Sequence, residues 1–242
     1  GEGITVSDYA TSFQANNVIV RYMRFRLGDR YPSEDDAFGG RYHKNIIIDH
    51  SSFSWSVDEV LSMYANENTT LQWSIVSESM LMTTHQKGRH GYAGIWGGNN
   101  TSFHHNIIAH NVSRNPRFAG SPNFPTEMYN NVIYDWGFFS SYGGEEGRYN
   151  LLNNYYKAGP STYKNVRNSV FLDVSENTRI FIEGNVMHGY PEVTEDNWKG
   201  VGGLANPASK LTSPVQMPQL ATVESAEVAY ERVLAEAGAI LP

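Results

Sequence analysis

Seven short apolar segments recur along this chain, and they keep one phase position for Asn. They cover residues 18–25, 46–53, 70–76, 102–108, 127–133, 151–156 and 180–187. Anchored on Phe25, Phe53, Val76, Ile108, Ile133, Tyr156 and Met187, they follow at steps of 28, 23, 32, 25, 23 and 31 residues. Two places before the anchors stand Met23, Ser51, Ser74 and then Asn106, Asn131, Asn154 and Asn185. Stacked Asn side chains can hydrogen-bond along a column and satisfy the amides of a tight turn between parallel strands. Each segment is rich in Val, Ile, Tyr and Phe and is followed by turn-forming residues. No amphipathic helix separates them, which excludes βαβ folds. Hairpin turns of the Asn-Gly type are missing, which argues against a propeller or an antiparallel sandwich. A repeat that buries its inner face only against its neighbours predicts an all-β, right-handed parallel β-helix. The irregular steps imply one short turn kept in every coil, with loops of varying length elsewhere.

The predicted solenoid covers residues 1–206, and residues 207–242 differ. Pro207, Pro214 and Pro218 mark an extended tail. Residues 225–238 then read as a short α-helix with Ser225 at the N-cap and Gly238 just past its end. Its expected packing face is Ala226, Ala229, Val233, Leu234 and Ala237.

Composition excludes several functions. The chain has 242 residues, no Cys and a net charge of −7. Disulfides, Cys-ligated zinc and thiol catalysis are ruled out together. The acidic balance argues against nucleic acid as the main partner. No apolar run approaches the roughly 18 residues that span a membrane.

Three clusters can carry chemistry. Glu34-Asp35-Asp36 and Asp58-Glu59 lie one repeat apart, and equivalent positions on adjacent coils stand about 4.8 Å apart. Their carboxylates can converge, and hard oxygen ligands favour Ca²⁺ or Mg²⁺. The second cluster, His85-Gln86-Lys87-Gly88-Arg89-His90-Gly91-Tyr92, falls in the longest repeat, where loops line binding faces. The third is His104-His105-Asn106 followed by Arg114-Asn115-Pro116-Arg117. Two Arg around a Pro suit a planar carboxylate. His104 and His105 are expected on opposite faces of a strand, which argues against a zinc pair. Trp55, Trp73, Trp96 and Tyr92 could offer apolar faces to sugar rings, although core stacking is the commoner use of such residues. A groove with cation ligands on one side and Arg and Lys on the other suits an acidic sugar polymer.

Residues 17–21, Asp36-Ala37, residues 45–54 and His104-His105-Asn106 through Arg117 resemble the pectate lyase family, polysaccharide lyase family 1. Ile48-Asp49-His50 looks like that family's Trp-Ile-Asp-His strand with Ile in place of Trp, and the resemblance runs from about Asn17 to Gly189. It implies β-elimination in polygalacturonate, with a preference for alkaline pH. Carboxylate-bound Ca²⁺ acidifies the C5 proton, a base removes it, and the C4–O bond breaks to leave a 4,5-unsaturated sugar. The family's base is an Arg eight residues after the Asn of His-His-Asn, which places that role on Arg114. A guanidinium ordinarily stays protonated, so the role implies help from the cation and from Lys87 and Arg117. By the same resemblance Lys87 is the lysine that meets a substrate carboxylate, and Glu34, Asp36 and Asp58 fall at calcium ligands. Arg117, His85, Arg89 and Tyr92 are the expected substrate contacts. Two positions depart from the pattern: Ser62 where many members carry a second ligand Asp, and Ala119 where they often carry a second Arg.

Two other functions compete. An inverting hydrolase would need paired carboxylates, for which Asp35, Asp36 and Asp58 are available, roughly 6.5–9.5 Å apart. A non-catalytic polysaccharide-binding solenoid would bind without cutting. The family implies a secreted, periplasmic or extracellular protein, and sequons stand at Asn68, Asn100 and Asn111. The first recognisable strand, near Asn17, has no cap before it, and open solenoid ends associate. A longer native chain or a companion chain over that edge is therefore expected.

Overall fold

The computed structural model describes residues 3–204, 206–218 and 222–240. Residues 1–2, 205, 219–221 and 241–242, which belong to the two segments expected from sequence, lie outside the described residues. Consecutive strands are not neighbours in a sheet. Each pairs in parallel with the strand one full turn of the chain away, as in a chain that winds. The fold is the parallel β-helix expected from the repeat.

One face carries Thr11–Ser12, Phe38–Arg41, Arg117–Phe118, Ser141–Gly143 and Phe171–Val174. The second carries Val18–Arg21, Lys44–Asp49, Pro125–Tyr129, Arg148–Leu152 and Arg179–Glu183. Two long strands, Leu61–Gln72 and Ile95–His104, begin in the first face and end in the second. The third face runs from Ile4–Ser7 through Met23–Arg26, Ser52–Ser54, Ile75–Ser77, Ile107–Ala109, Val132–Tyr134 and Tyr155–Lys157 to Val186–Met187. Ile95–His104 bends at Gly97 and Gly98, whose φ values are 149° and 151°. A Cβ on Gly97 would fall 1.9 Å from the Ala119 carbonyl oxygen of the next coil, so only glycine fits this approach.

The sequence anchors are register partners. Phe25 pairs with Phe53, Phe53 with Val76, Val76 with Ile108, Ile108 with Ile133, Ile133 with Tyr156 and Tyr156 with Met187. All seven are buried, and Phe25 stacks on Phe53 with ring centroids 5.2 Å apart. Burial of side chains this large contributes about 1.5–3 kcal/mol each.

Each apolar segment read as one strand is in fact two strands around a corner. The residue three before each anchor is Tyr22, His50, Trp73, His105, Asn130, Asn153 or Gly184, and each takes a left-handed φ between 43° and 70°. That single residue swings the chain from the second face to the third. The ladder position follows at once. Asn106 donates from its backbone N–H and from Nδ2 to Asn131 Oδ1 (3.0 and 2.9 Å). Asn131 does the same to Asn154, Asn154 to Asn185, and Asn185 to Asn197. The corner is too short to interrupt the alternation of apolar residues, so periodicity alone runs through it.

The tail walks back along the solenoid. The Leu211 N–H donates to the Ile180 carbonyl, the Val215 N–H to Asn150 Oδ1 and the Glu224 N–H to Asn130 Oδ1. The helix Ala226–Glu236 follows, with Ser225 Oγ accepting from the Val228 N–H. Ala226, Ala229, Val233 and Ala237 are buried, and Val233 and Ala237 pack with Val132, Trp73 and Ile107 of the third face. Leu234, expected in that contact, is instead 51% exposed. It sits one step around the helix from Val233, which fills the space against the sheet.

Candidate active site

A cleft of about 790 Å³ opens over the first face, lined among others by Glu34, Asp35, Asp36, Asp58, Glu59, Ser62 and Arg114. Most of these residues stand just before their strands. Because Phe38 pairs with Leu61, Asp36 stacks on Glu59, and Glu59 bridges to Tyr92 and Tyr92 to Ser113. Asp35 stacks likewise on Asp58, whose N–H donates to the Asp35 carbonyl (3.2 Å). Coil stacking therefore concentrates carboxylates, and oxygens of Asp36, Asp58 and Glu59 lie within 4.8 Å of one another.

The charge in this cluster is incompletely compensated. Burial, then the neighbouring Asp58 charge, pushes the Asp36 carboxyl up to about 7, against opposing help from Ser62 and Arg114. Asp58 Oδ1 and Glu59 Oε1 are buried without an aligned hydrogen bond. The Arg114 guanidinium forms an ion pair with Glu59 and lies over the Tyr92 ring, 4.2 Å from its centroid. Arg114 itself takes a left-handed φ of 58°, as the chain turns into the strand that follows. Its side chain is about a fifth exposed, at the cleft.

Asp58 faces a second group. His90 Nε2 stands 2.7 Å from Asp58 Oδ1 and His85 Nε2 3.8 Å from Asp58 Oδ2. The two imidazoles stack at 4.1 Å. Burial pushes His90 below its ordinary value in spite of Asp58.

The structure brings Asp36, Asp58 and Arg114 together, with Tyr92 as the support of Arg114. It leaves others outside. Glu34 lines the cleft, but its Oε1 accepts from the Gln86 N–H (2.9 Å) rather than joining the oxygen cluster. Lys87 and Arg89 are exposed on the 79–91 loop, and Arg89 lines a separate cavity with His110, Asp135, Phe138 and Tyr163. Arg117 pairs with Glu145 on the next coil (2.7 Å). Ser62, at the first departure from the family pattern, accepts from the Ile95 N–H and hydrogen-bonds Asp36. Ala119 is buried.

His104 and His105 do not point apart. Their Nδ1 atoms are 2.8 Å apart, because His105 is the left-handed corner residue and no longer follows strand alternation. Burial, with His105 second, pushes His104 down to about 3. Both lie at the corner beneath the tail, where Trp73 stacks on His105 at 4.4 Å. Trp96 is fully buried and Trp55 donates to Glu78, so none of the three Trp lines the cleft. Asn111 is buried with its amide donating to the Val76 carbonyl, which leaves that sequon no room for a glycan.

Sequence reasoning grouped Glu59 with the converging carboxylates without assigning it as a ligand, and it passed over His90 as a partner of Asp58. A signal existed for Glu59: the step from Asp36 is 23, the same as from Phe53 to Val76. None existed for His90, whose loop position is set by tertiary contacts.

No family model matches the chain. A probable pectate lyase C from Aspergillus flavus is 34% identical to it over 251 residues, covering 99% of this chain and 56% of the relative. The chain thus spans about half the length of the curated relatives it matches. Among solved structures, a pectate lyase studied for its substrate specificity and anti β-elimination mechanism superposes with a TM-score of 0.67 at 15% identity, covering 99% of this chain and 65% of that one. A Bacillus pectate lyase in complex with trigalacturonate gives 0.63 at 17%, covering 96% and 71%. Pectate lyase C from Erwinia chrysanthemi, solved at pH 9.5 with 30 mM Ca²⁺, gives 0.56 at 17%, covering 98% and 67%.

Proposed function

Since the chain belongs to the pectate lyase family, we propose that its cleft cleaves polygalacturonate by calcium-assisted β-elimination, with Arg114 as the group that takes the C5 proton. The observation that carries this reading is the convergence of Asp36, Asp58 and Glu59 beside Arg114. The donor set fits the cation: three hard oxygens within 4.8 Å of one another, and a carboxyl pushed up to about 7 by burial and then by the neighbouring Asp58 charge. Thiolate is absent and oxygen predominates, which suits Ca²⁺. Asp36, Asp58 and Glu59 would hold the ion, which when bound supplies positive charge to a uronate carboxylate and so acidifies the C5–H.

The chain's own groups do the rest. Tyr92 and Glu59 fix the guanidinium at the cleft, so that it meets the substrate without a search over rotamers. Proton transfer to a positioned base contributes typically about 10²–10⁴-fold. For this the Arg114 side chain first gives to water the proton that a guanidinium ordinarily keeps and acts as the neutral guanidine. It then takes the C5 proton, the C5–H electron pair forms the C4=C5 double bond as the C4–O bond breaks, and the departing sugar oxygen takes a proton from water. Substrate entry would bring the exposed Lys87 toward a uronate carboxylate. The protein would act outside the cell on pectin; no helix among the described residues is long and apolar enough to cross a membrane.

The hydrolase reading is not favoured. Oxygens of Asp36 and Asp58 within 4.8 Å are closer than the roughly 6.5–9.5 Å that inverting hydrolysis needs to admit a water. Mass analysis of the products from polygalacturonate separates the two. Unsaturated non-reducing ends are expected. Hydrated ends alone would replace elimination with hydrolysis.

Asp36 also sets a pH dependence. Its folded value of about 7 exceeds the ordinary 3.8, so the folded chain binds that proton more tightly than the unfolded chain. The resulting stability is complete below about pH 4 and is lost as pH rises through 7, a loss on the order of 4 kcal/mol. In a chelator, thermal melts are expected to fall between about pH 5 and pH 8. Asp36→Asn should flatten that part of the curve, and Ca²⁺ should restore the wild-type melt at the higher pH. An Asp36→Asn profile parallel to wild type would refute this account of the carboxyl.

A further inference from the structure

The His85–His90 pair lies beside the proposed cation site but is not part of it. Both imidazoles are buried, 4% and 6% exposed, and both turn Nε2 toward Asp58. Asp58, His85 and His90 would supply two nitrogens and one oxygen within 4.8 Å of one another, a set that could take a transition metal. The protons argue otherwise. The Lys87 backbone N–H donates to His85 Nδ1 (3.1 Å), so that nitrogen carries a lone pair and the ring N–H is on Nε2. A metal-ligating His has the opposite arrangement, with the far nitrogen donating outward. His85 Nε2–H therefore faces Asp58 Oδ2, at 3.8 Å. His90 Nε2 and Asp58 Oδ1 are both buried and 2.7 Å apart, and neither makes an aligned hydrogen bond elsewhere.

We propose that His90, supported by the stacked ring of His85, is a positioning residue that braces the Asp58 carboxylate for the cation, and that it ties the loop bearing Lys87 to the cation site. The inference rests on the calcium reading of the cleft. The two buried rings crowd both oxygens of Asp58, His90 Nε2 at 2.7 Å from Oδ1 and His85 Nε2 at 3.8 Å from Oδ2, which restricts rotation of a carboxylate whose oxygens lie beside Asp36 and Glu59. The loop is held at a further point, since Gln86 N–H donates to Glu34 Oε1 two coils back. Cation affinity and loop docking are then reciprocal: whatever loosens the loop weakens the site, and a bound cation that steadies Asp58 steadies the loop. Outer partners of this kind are worth about 10–100-fold in metal affinity.

Calorimetric titration of the whole chain with Ca²⁺, without substrate, tests this. His90→Ala is expected to raise the Kd for Ca²⁺ about 10–100-fold. His90→Gln keeps an N–H donor and should recover most of that loss. Hydrogen exchange across residues 81–90 should slow on addition of Ca²⁺ in wild type and not in His90→Ala. Thermal melts in chelator confirm that each variant is folded. Equal Ca²⁺ affinity in wild type and His90→Ala overturns the brace while leaving the calcium reading intact. A wild type that binds no Ca²⁺ overturns the calcium reading, and the brace with it. Stoichiometric Zn²⁺ binding that His85→Ala and His90→Gln both abolish overturns the brace in favour of direct ligation.

Discussion

Arg114→Lys is expected to lower kcat on polygalacturonate at least 10²-fold, on the order of what a positioned base contributes, with a much smaller change in KM. Lysine keeps a positive charge but presents one ammonium instead of a planar fork, so it cannot lie over Tyr92 and meet Glu59 in the same geometry. Arg114→Ala should be as inactive and also less stable. It strands the Glu59 carboxylate, which is 4% exposed, without the guanidinium that now pairs with it. Breaking a buried pair at one partner costs about 3–5 kcal/mol. The two effects separate in the double variant Arg114→Met/Glu59→Gln, which should recover the melting temperature and remain inactive. Steady-state kinetics and thermal melts on the three variants check both. Wild-type kcat in Arg114→Lys would remove Arg114 from the proton transfer.

The second large effect belongs to the core ladder. Asn131 is fully buried; its Oδ1 accepts twice from Asn106, and its Nδ2 donates to the Phe103 carbonyl and to Asn154 Oδ1. Asn131→Ala leaves the Asn106 backbone N–H and one N–H of its side-chain amide without partners, the other still donating to the Leu71 carbonyl, and takes a donor from the Phe103 carbonyl in a site closed to water. At about 1–3 kcal/mol for each stranded group, a loss of roughly 3–6 kcal/mol is expected. For a domain of this size that lowers the melting temperature by about 10 °C or more. The exposed column of Asn17, Asn45, Asn68 and Asn100 has the same side-chain contacts but faces solvent. Asn68→Ala should therefore cost only about 1 kcal/mol, most of it for a left-handed backbone at φ 52°. Equal melting temperatures for the two variants would contradict the importance assigned to burial of the inner column.

Much of the fold was legible because a winding chain repeats its inside. The anchors from Phe25 to Met187 could be aligned by eye, and each proved to be the register partner of the next. The corner was not legible, because a single left-handed residue such as His105 or Trp73 leaves no composition signal. The misreading of His104 and His105 as opposed follows from that one omission. In the site, coil stacking made the convergence of Asp36 with Asp58 and Glu59 predictable, although only the spacing of 23 from Asp36 singles out Glu59 as the stacked partner. Loop residues behaved differently. Lys87, Arg89 and Arg117 were grouped by charge, yet they point to the solvent, to another cavity and to Glu145. Their directions depend on contacts made by other coils, which sequence spacing does not carry.

The central claim, cation-assisted elimination in this cleft, is tested most directly by following the ultraviolet absorbance of polygalacturonate incubated with this chain. With Ca²⁺ a steady rise from unsaturated uronide is predicted, abolished by chelator and by Arg114→Lys. Chain shortening that proceeds in chelator without a rise in absorbance would contradict it.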